Sequence, residues 1–248
     1  MSPISADVFI PPAPYRGLEP YRFCDETIFF ERDTEAERLF RLVTMYRGTL
    51  LYGESGAGKS SLINAGFVPK ALSAGMNVER LRVQPRRGAE FVVERIPRSD
   101  KPLDYLTSVL AGPSTGRTTL SPLQLLAATS ESALSTDLLL IFDQFEELLT
   151  LASEEGADTA TFDRQDEILA TIVSLLQARS NVRLRLMFVF REDYLAKFDR
   201  LFYFCPELVD RFMRLTPPPA SSLRKLLRGP FESTRILRER GPVKYLNQ

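Results

Sequence analysis

The chain has 248 residues, of which 32 are basic and 32 acidic, so its formal net charge at pH 7 is zero. A chain of this length is long enough for one large α/β domain or for a domain with a short appendage. The balanced charge does not indicate a nucleic-acid partner or a membrane surface. Histidine is absent and the two cysteines match no metal-ligand spacing, which excludes Ser-His and Cys-His nucleophile pairs and most zinc sites.

The start of the chain has neither a signal-peptide pattern nor an apolar run of about 18 residues. We therefore expect a cytoplasmic protein with no membrane contact. Residues 1–14 are rich in proline and predict an extended lead-in. Residues 15–32 are rich in aromatic residues and proline, and they either pack as a hydrophobic strap on the domain or form a wall of a ligand pocket. A capping-box spacing of Thr34 and Glu37 predicts a helix over about 34–45.

Residues 53–60 match the phosphate-binding pattern G-x-x-x-x-G-K-[ST] at every fixed position, between an apolar strand at 49–52 and a helix that starts near 61. Glycines let backbone N–H groups approach phosphate oxygens, and the helix N-terminus favours the same anion. Lys59 is expected to reach the β- and γ-phosphates, and the hydroxyl of Ser60 to bind Mg²⁺. The predicted nucleotide-binding residues of this loop are Gly53, Glu54, Ser55, Gly56, Ala57, Gly58, Lys59, Ser60 and Ser61.

A second candidate site lies at the end of the apolar run 138–142, where Asp143 follows directly. Such a run is typical of a strand that is buried on both faces, and ligands bind at the C-terminal edge of an open parallel sheet. In a chain with a phosphate-binding loop, an Asp at this position helps to hold Mg²⁺. We therefore predict Ser60 and Asp143 as metal ligands, with a helix cap as the alternative role of Asp143.

Two acidic residues, Glu146 and Glu147, stand three and four positions after Asp143. A helix begun at 143 would place both on the side of the Asp, and one of them could polarise the attacking water. The alternative is an ordinary acidic first helical turn, favoured by the helix dipole. The sequence does not choose between the two glutamates.

Arg191 follows another apolar strand, at 184–190, which we expect to lie beside the strand that carries Asp143. A guanidinium at that point could sense the γ-phosphate or stabilise charge in the transition state, and the alternative is a salt bridge with Glu192 or Asp193. The remaining predicted strands are 78–83, 91–96 and 211–215. The remaining predicted helices are 103–111, 122–134, 161–179 with Phe162 on its buried side, 192–201, and a short helix from Ser221 that ends at Gly229-Pro230.

These motifs together resemble the nucleotide-binding domain of STAND-class signal-transduction ATPases, and in particular bacterial NACHT-like members. The resemblance rests on segments 15–33, 53–60, 143–147, 190–194 and 215–219. It implies an α/β P-loop NTPase, a three-layer sandwich with a mainly parallel sheet of the ASCE type in the order 5-1-4-3-2. The domain would span 15–230 and be followed by a basic C-terminal tail at 231–248. ATP or ADP, slow hydrolysis used as a timer and nucleotide-dependent assembly are also implied.

Within this resemblance Asp143 has the Walker B position, Arg191 matches the first sensor, and Arg32 is expected in the base pocket. Glu31 stands where the family commonly has glycine before that arginine. Helical and winged-helix domains usually follow, and the 248 residues do not include them.

The function expected is a Mg²⁺-dependent regulatory ATPase that acts as a nucleotide switch in a signalling or antiviral-defence complex, with partner proteins or by self-assembly. The alternative is a non-hydrolysing ATP- or ADP-binding module. Gln144 sharpens this choice, because many related ATPases have a catalytic Glu there and an amide cannot act as a general base. A small-molecule kinase is less favoured, since no lid or acceptor-binding motif is apparent.

Overall fold

The computed structural model describes residues 15–17, 19–84, 90–94, 118–130, 134–150, 159–178 and 182–239. Seven strands in this part of the chain form a single sheet in the order β4-β3-β2-β5-β6-β1-β7. The strands are β1 (Gly48–Gly53), β2 (Asn77–Gln84), β3 (Glu90–Glu94), β4 (Thr118–Leu120), β5 (Leu138–Phe142), β6 (Leu184–Arg191) and β7 (Phe212–Arg214).

Five of the strands run parallel, because β1 pairs with β6 and β7, and β5 pairs with β2 and β6. Counted along the chain, these five are arranged 5-1-4-3-2 across the sheet. Strands β3 and β4 extend the sheet antiparallel beyond β2. The predicted α/β class with a mainly parallel sheet is confirmed.

Helices cover both faces of this sheet and make a three-layer sandwich. They are α1 (Asp33–Met45), α2, which joins Lys59–Ser61, the π-helical Leu62–Phe67 and Val68–Ser73 without a break, α3 (Pro122–Ala128), α4 (Glu147–Thr150), α5 (Thr159–Gln177), α6 (Asp199–Phe204) and α7 (Leu223–Glu239). Short 3₁₀ helices lie at Phe23–Ile28, Glu192–Lys197, Pro206–Asp210 and Ala220–Ser222. Among the described residues no helix combines the length and the apolar character needed to cross a membrane.

Alternate residues of the central strands face opposite layers, as the period of a strand requires. On β5, Leu138, Leu140 and Phe142 pack into the layer that holds α3, α5 and α6. Leu139 and Ile141 pack into the layer that holds α1 and α2. Because both faces are buried, the strand has to be continuously apolar, which explains the uninterrupted run in the sequence.

The register of the parallel strands sets which residues meet at the C-terminal edge. Gly53 at the end of β1 is opposite Arg191 at the end of β6. The chain leaves β5 in a turn at 143–146 that is held from both sides, because the Asp143 amide donates to Leu81 O and the Phe145 amide donates to Val189 O, both at 2.9 Å. The polar ends of β1, β5 and β6 therefore lie side by side.

An aromatic cluster anchors this turn from below. The ring of Phe145 is fully buried and lies 4.9 Å from the ring of Phe188 and 5.0 Å from that of Phe198, centroid to centroid. Phe142 stacks on Phe188 at 5.2 Å. The turn is thus fixed by core packing as well as by its backbone hydrogen bonds.

Several predicted elements differ from the structure. The helix expected to end at Gly229-Pro230 is α7, which continues through Pro230 to Glu239. An interior proline removes one helical N–H and favours a kink or an end, but here the helix continues and packs at Gly229 on Phe30, since a Cβ at Gly229 would lie only 2.9 Å from that ring. Phe162, expected on the buried side of α5, is 50% exposed.

The region 192–201 forms a 3₁₀ helix and the start of α6 rather than one α-helix. The edge strand β4 was not predicted. The capping box at Thr34 is wrong, because α1 begins at Asp33 with Arg32 as its N-cap. The predicted helix 103–111 lies outside the described residues.

We expect Phe145→Ala to lower the free energy of unfolding by about 3–5 kcal/mol, because it removes a fully buried ring and leaves a cavity beneath the turn. Urea unfolding measures the change. Phe162→Ala is the matched control, since the same atoms are removed from a half-exposed ring, and it should change stability by less than about 0.5–1 kcal/mol. Equal losses in the two variants would contradict the anchoring role of Phe145.

Candidate functional site

A cavity of about 510 Å³ opens at the C-terminal edge of the sheet, between the loop after β1, the turn after β5 and the end of β6. Its walls include most of the residues that the sequence predicted for the site: Ser55, Gly56, Gly58, Lys59, Ser60, Ser61, Asp143, Glu146 and Arg191. Residues 19–21 of the N-terminal strap form a further wall. The strap therefore both packs on the domain and lines the site.

The loop itself has the backbone conformation that its glycines permit. Gly56 and Gly58 have φ angles of +79° and +92°, in the left-handed region that favours glycine. No atom lies within 4 Å of the Cβ position at either residue, so conformation rather than crowding requires glycine there. Gly53 differs, because a Cβ there would lie 2.2 Å from the carbonyl oxygen of Leu215.

Lys59 begins α2 and its ammonium lies over the loop, donating to the carbonyl oxygens of Gly53 at 2.8 Å and Glu54 at 2.9 Å. Burial lowers the pKa of Lys59, and the nearby Glu146 carboxylate opposes that shift. The side chain of Glu54 is exposed, and Ala57 is buried outside the large cavity. The lining of the large cavity therefore does not include Gly53, Glu54 or Ala57, three of the residues predicted to bind the nucleotide.

Asp143 is buried, and one carboxylate oxygen accepts the backbone N–H of Gln144 at 3.0 Å. The other lies 3.6 Å from Nε of Arg80 on β2. Arg80 also donates to the side-chain oxygen of Asn64 on α2, whose amide donates to the backbone carbonyl of Tyr21 at 2.8 Å. A polar chain thus runs from the strap through Asn64 and Arg80 to the carboxylate of Asp143.

The two glutamates after Asp143, which the sequence left equivalent, have different surroundings. Glu146 lines the large cavity, and its Oε2 is buried without a hydrogen bond to any described residue. Glu147 points away and forms an ion pair with Arg82, which also donates to the side chain of Gln144. Gln144, which precedes both glutamates in the turn, has a φ of +51°.

Burial is the main cause that raises the pKa of Glu146, while the backbone N–H groups of Glu146 and Arg191 and the charge of Lys59 oppose it. A carboxylate with a raised pKa and an unpaired oxygen in a cavity is a suitable proton acceptor. Of the two predicted candidates, Glu146 alone has this environment.

Arg191 lies at the rim of the cavity with its guanidinium 2.5 Å from Asp193 Oδ2. This ion pair raises the pKa of Arg191, and the side chain is 44% exposed. The salt bridge that the sequence offered as the alternative role is therefore present. Both side chains are exposed to water, and exposed ion pairs contribute little stability. Arg191 could therefore exchange Asp193 for another anion at little cost in free energy.

A smaller cavity of about 180 Å³ adjoins the loop on its other side. Its walls are mostly apolar and aromatic: Tyr21, Ile28, Phe29, Phe30, Arg32, Gly56, Ala57, Gly58, Ser61, Pro218, Leu226 and Pro230. Arg32, predicted in the base pocket, is buried in this wall and donates to the carbonyl oxygens of Ala57 at 3.1 Å and Thr216 at 2.9 Å. It thereby ties the phosphate loop to the chain after β7.

Glu31 adopts a φ of +60°, the left-handed conformation that favours glycine. Glu31 therefore keeps the backbone conformation that the glycine usual in the family would adopt, and this conformation costs a non-glycine residue about 1–2 kcal/mol. The carboxylate pairs with Lys225 Nζ of α7 at 3.0 Å. Hydrogen bonds from Lys225 and Ser222 lower the pKa of Glu31.

The donors around the large cavity fit a nucleotide-bound Mg²⁺ better than an all-protein metal site. Among the described residues no group of three or more His, Cys, Asp or Glu side chains could hold a metal ion. Asp143 and Ser60 nevertheless line the same cavity. One carboxylate and one hydroxyl match the usual binding of Mg²⁺, which takes its other ligands from phosphates and water.

The comparisons with known proteins agree with this geometry. The family model of novel STAND NTPase 1 matches residues 14–247, almost the whole chain. The chain belongs to this STAND NTPase family. The comparison with curated proteins found no significant match.

Solved structures similar to this STAND NTPase include the Walker-type ATPase paby2304 of Pyrococcus abyssi, with 17% identity and a TM-score of 0.50, covering 90% of this chain and 65% of that chain. The Aeropyrum pernix ORC2 protein, in its ADPNP–ADP complexes, shows 17% identity and a TM-score of 0.49, covering 92% of this chain and 55% of that one. The STAND NTPase thus spans between half and two thirds of these proteins. At such identity the likeness concerns the fold alone.

Sequence reasoning missed three residues that shape the site of this STAND NTPase: Asn64, Arg80 and Arg82. On β2 the two arginines alternate with Leu81, which faces the opposite layer. The sequence signal for the two arginines is their alternation with apolar residues near the C-terminal end of a strand. That strand lies beside the one that ends at Asp143. The strand order 5-1-4-3-2 that the family resemblance implies would have placed this strand beside β5.

We expect Glu146→Gln to raise the free energy of unfolding at pH 7.5 and to give no gain near pH 4. The folded-state pKa of Glu146 is raised, so its contribution is fully present below the unfolded-state pKa of about 4.3 and is lost as the pH rises through the folded value. Urea unfolding at the two pH values measures this difference.

Glu147→Gln is the matched control, because its carboxylate is paired with Arg82. That variant should show no gain at pH 7.5. A gain of the same size from both variants would mean that the environments of the two glutamates do not differ as described.

Proposed function

We propose that this chain binds ATP and ADP with Mg²⁺ and hydrolyses ATP slowly, as a regulatory switch whose two states differ in the presence of the γ-phosphate. Membership of a STAND NTPase family supports the class of reaction. The observation that carries the proposal is Glu146, whose Oε2 has no hydrogen bond to a described residue and which shares one cavity with Lys59, Ser60 and Asp143.

Each residue has a role that follows from its position. The amides of the glycine loop and the ammonium of Lys59 would hold the phosphates, since N–H groups and a cation converge there without a side chain in the way. Asp143 and Ser60 would hold Mg²⁺, which when bound neutralises charge that develops on the phosphates. The small apolar cavity beside the loop would take the base.

Glu146 would orient the attacking water and accept its proton. Its raised pKa makes it a better base than an ordinary surface carboxylate, and its Oε2 has no hydrogen bond to a described residue that would have to break first. Among the described residues that follow Asp143 in the turn, Glu146 is the one suited to this role, because Gln144 cannot accept a proton and Glu147 faces Arg82. One base without an aligned second group is consistent with slow turnover.

Arg191 is the proposed sensor of the γ-phosphate. In exchange for Asp193 it would bind the additional phosphate of ATP, and the movement of the β6 end would distinguish the two nucleotides. A switch of this kind acts on partner proteins or on further copies of the chain, in a cytoplasmic signalling or defence complex.

Phosphate release by the purified protein tests hydrolysis. We expect Mg²⁺-dependent turnover that falls at least about 100-fold in Glu146→Gln, because a general base contributes about 10²–10⁴ in rate. Lys59→Ala should lose nucleotide binding as well as turnover. Glu147→Gln is the control and should remain within about tenfold of the parent protein, provided that Arg82 keeps a hydrogen-bond partner.

A non-hydrolysing nucleotide-binding module is the second candidate function. It is favoured by Gln144, which follows Asp143 directly and whose side chain is exposed and bonded to Arg82. This function predicts tight binding with turnover equal to that of Lys59→Ala. Such a result would overturn the switch that hydrolyses while leaving nucleotide binding intact.

Arg191→Ala should weaken the binding of a slowly hydrolysed ATP analogue about tenfold more than the binding of ADP, since one charged hydrogen bond to the γ-phosphate is lost. Isothermal titration of both nucleotides measures the ratio. Arg211→Ala is the control, because its guanidinium lies over the ring of Tyr46, 4.9 Å from the centroid, and not at the cavity. An equal loss for both nucleotides would remove Arg191 as the sensor.

A further inference from the structure

A basic residue on β2 lies against Asp143, the carboxylate that the proposed function assigns to Mg²⁺. Arg80 Nε is 3.6 Å from Asp143 Oδ2, and the two side chains are largely buried, with 14% and 11% of their surfaces exposed. This distance is too long for a hydrogen bond, and among the described residues the buried Nε has no hydrogen-bond acceptor. Arg80 and Asp143 therefore attract each other by charge, without a hydrogen bond through Nε.

The guanidinium of Arg80 is held in place by a second contact that does not involve Asp143. Its Nη2 donates to Oδ1 of Asn64 on α2, and the amide of Asn64 donates to the carbonyl oxygen of Tyr21 at 2.8 Å. The backbone N–H of Tyr21 in turn donates to Oγ of Ser61 at 3.1 Å. Because these bonds anchor Arg80 to α2 and the strap, its positive charge has a fixed position beside the carboxylate.

This fixed charge has two opposite effects at Asp143. A buried carboxylate without a partner is costly, and Arg80 supplies the partner when no metal ion is present. An ion that binds the same carboxylate has to come close to the guanidinium, and like charges repel strongly where water is largely excluded. Negative charge from another source can offset that repulsion, and the phosphates of a nucleotide carry such charge into the same cavity.

We propose that Arg80 is a built-in counter-cation of Asp143 that makes Mg²⁺ binding conditional on bound nucleotide. Without nucleotide, Arg80 neutralises the carboxylate and repels the ion. With nucleotide, the phosphate oxygens add both ligands and negative charge, and Mg²⁺ binds in spite of Arg80. This inference rests on the proposed function, because it takes Asp143 and Ser60 as the metal ligands. Arg80 acts through the carboxylate and is a positioning residue.

Thermal unfolding followed by circular dichroism tests the inference without nucleotide and without turnover. About 10 mM MgCl₂, compared with NaCl at equal ionic strength, should leave the unfolding temperature of the parent protein unchanged within about 1 °C. In Arg80→Gln the repelling charge is removed and Asp143 lacks its counter-cation. We therefore expect the same Mg²⁺ concentration to raise the unfolding temperature of this variant by about 2 °C or more.

A Mg²⁺ titration of the complex with a ribose-labelled fluorescent ADP provides the second measurement. Mg²⁺ should bind to the ADP complex of Arg80→Gln about tenfold more tightly than to that of the parent protein, since one repelling charge is gone. A purely structural role of Arg80 predicts the opposite direction, because a carboxylate that loses its support would bind the ion more weakly.

Three further variants serve as controls. Arg80→Lys keeps the charge and should respond to Mg²⁺ as the parent protein does. Arg185→Gln is the matched control, because Arg185 is a partly buried strand arginine 3.4 Å from Asp137, but it stands near the start of β6, away from the cavity. It should not gain affinity for Mg²⁺. Adding Asp143→Asn to Arg80→Gln should abolish the stabilisation by Mg²⁺, which identifies Asp143 as the ligand.

Two results would overturn the inference alone: stabilisation of the nucleotide-free parent protein by Mg²⁺, or Mg²⁺ binding in Arg80→Gln that is unchanged or weaker. The first result requires no variant and so remains decisive even where Arg80→Gln does not fold. Failure of the parent protein to bind ADP, or ADP binding that does not respond to Mg²⁺, would instead overturn the proposed function, and the inference with it.

Discussion

The parallel pairing of β1, β5 and β6 is the constraint on which the site depends. Three strands that run in one direction deliver their C-terminal ends to one edge, and the registers bring Gly53 opposite Arg191 and Phe142 opposite Phe188. The glycine loop, Asp143 and Arg191 come from three distant parts of the sequence. They meet because backbone hydrogen bonds between strands fix their relative heights, and no side chain is required for this alignment.

Core packing then gives the edge its chemical asymmetry. Phe145 is buried below the turn after β5, and Gln144 takes a positive φ above it. In the turn that these two residues hold, Glu146 lines the cavity and Glu147 pairs with Arg82, although the two glutamates are adjacent. Two arginines on β2, at positions 80 and 82, support the turn from the neighbouring strand. The polarity of the site therefore depends on an aromatic cluster that contains no polar group at all.

Much of the fold could be predicted because its causes are local. The phosphate-binding loop is defined by the glycine spacing of residues 53–60, and β5 by a continuous apolar run. Each of these patterns occupies only a few consecutive residues. The difference between Glu146 and Glu147 could not be predicted, since it depends on Arg82 from another strand. The continuation of α7 through Gly229-Pro230 was also beyond local reasoning, because this part of the helix packs on Phe30, about two hundred residues earlier. Local sequence patterns thus identified the motifs, whereas contacts between distant residues determine the surroundings of each side chain.

The contacts between the strap and α7 have a thermodynamic consequence for the small cavity. The hydroxyl of Tyr15, the carboxylate of Glu31 and the ring of Phe30 each touch the same part of α7, through a hydrogen bond, an ion pair and close packing. None of these is strong alone, but α7 is a single helix and cannot leave one contact without disturbing the others. Opening of this wall would therefore have to break the three contacts together, so it would be cooperative.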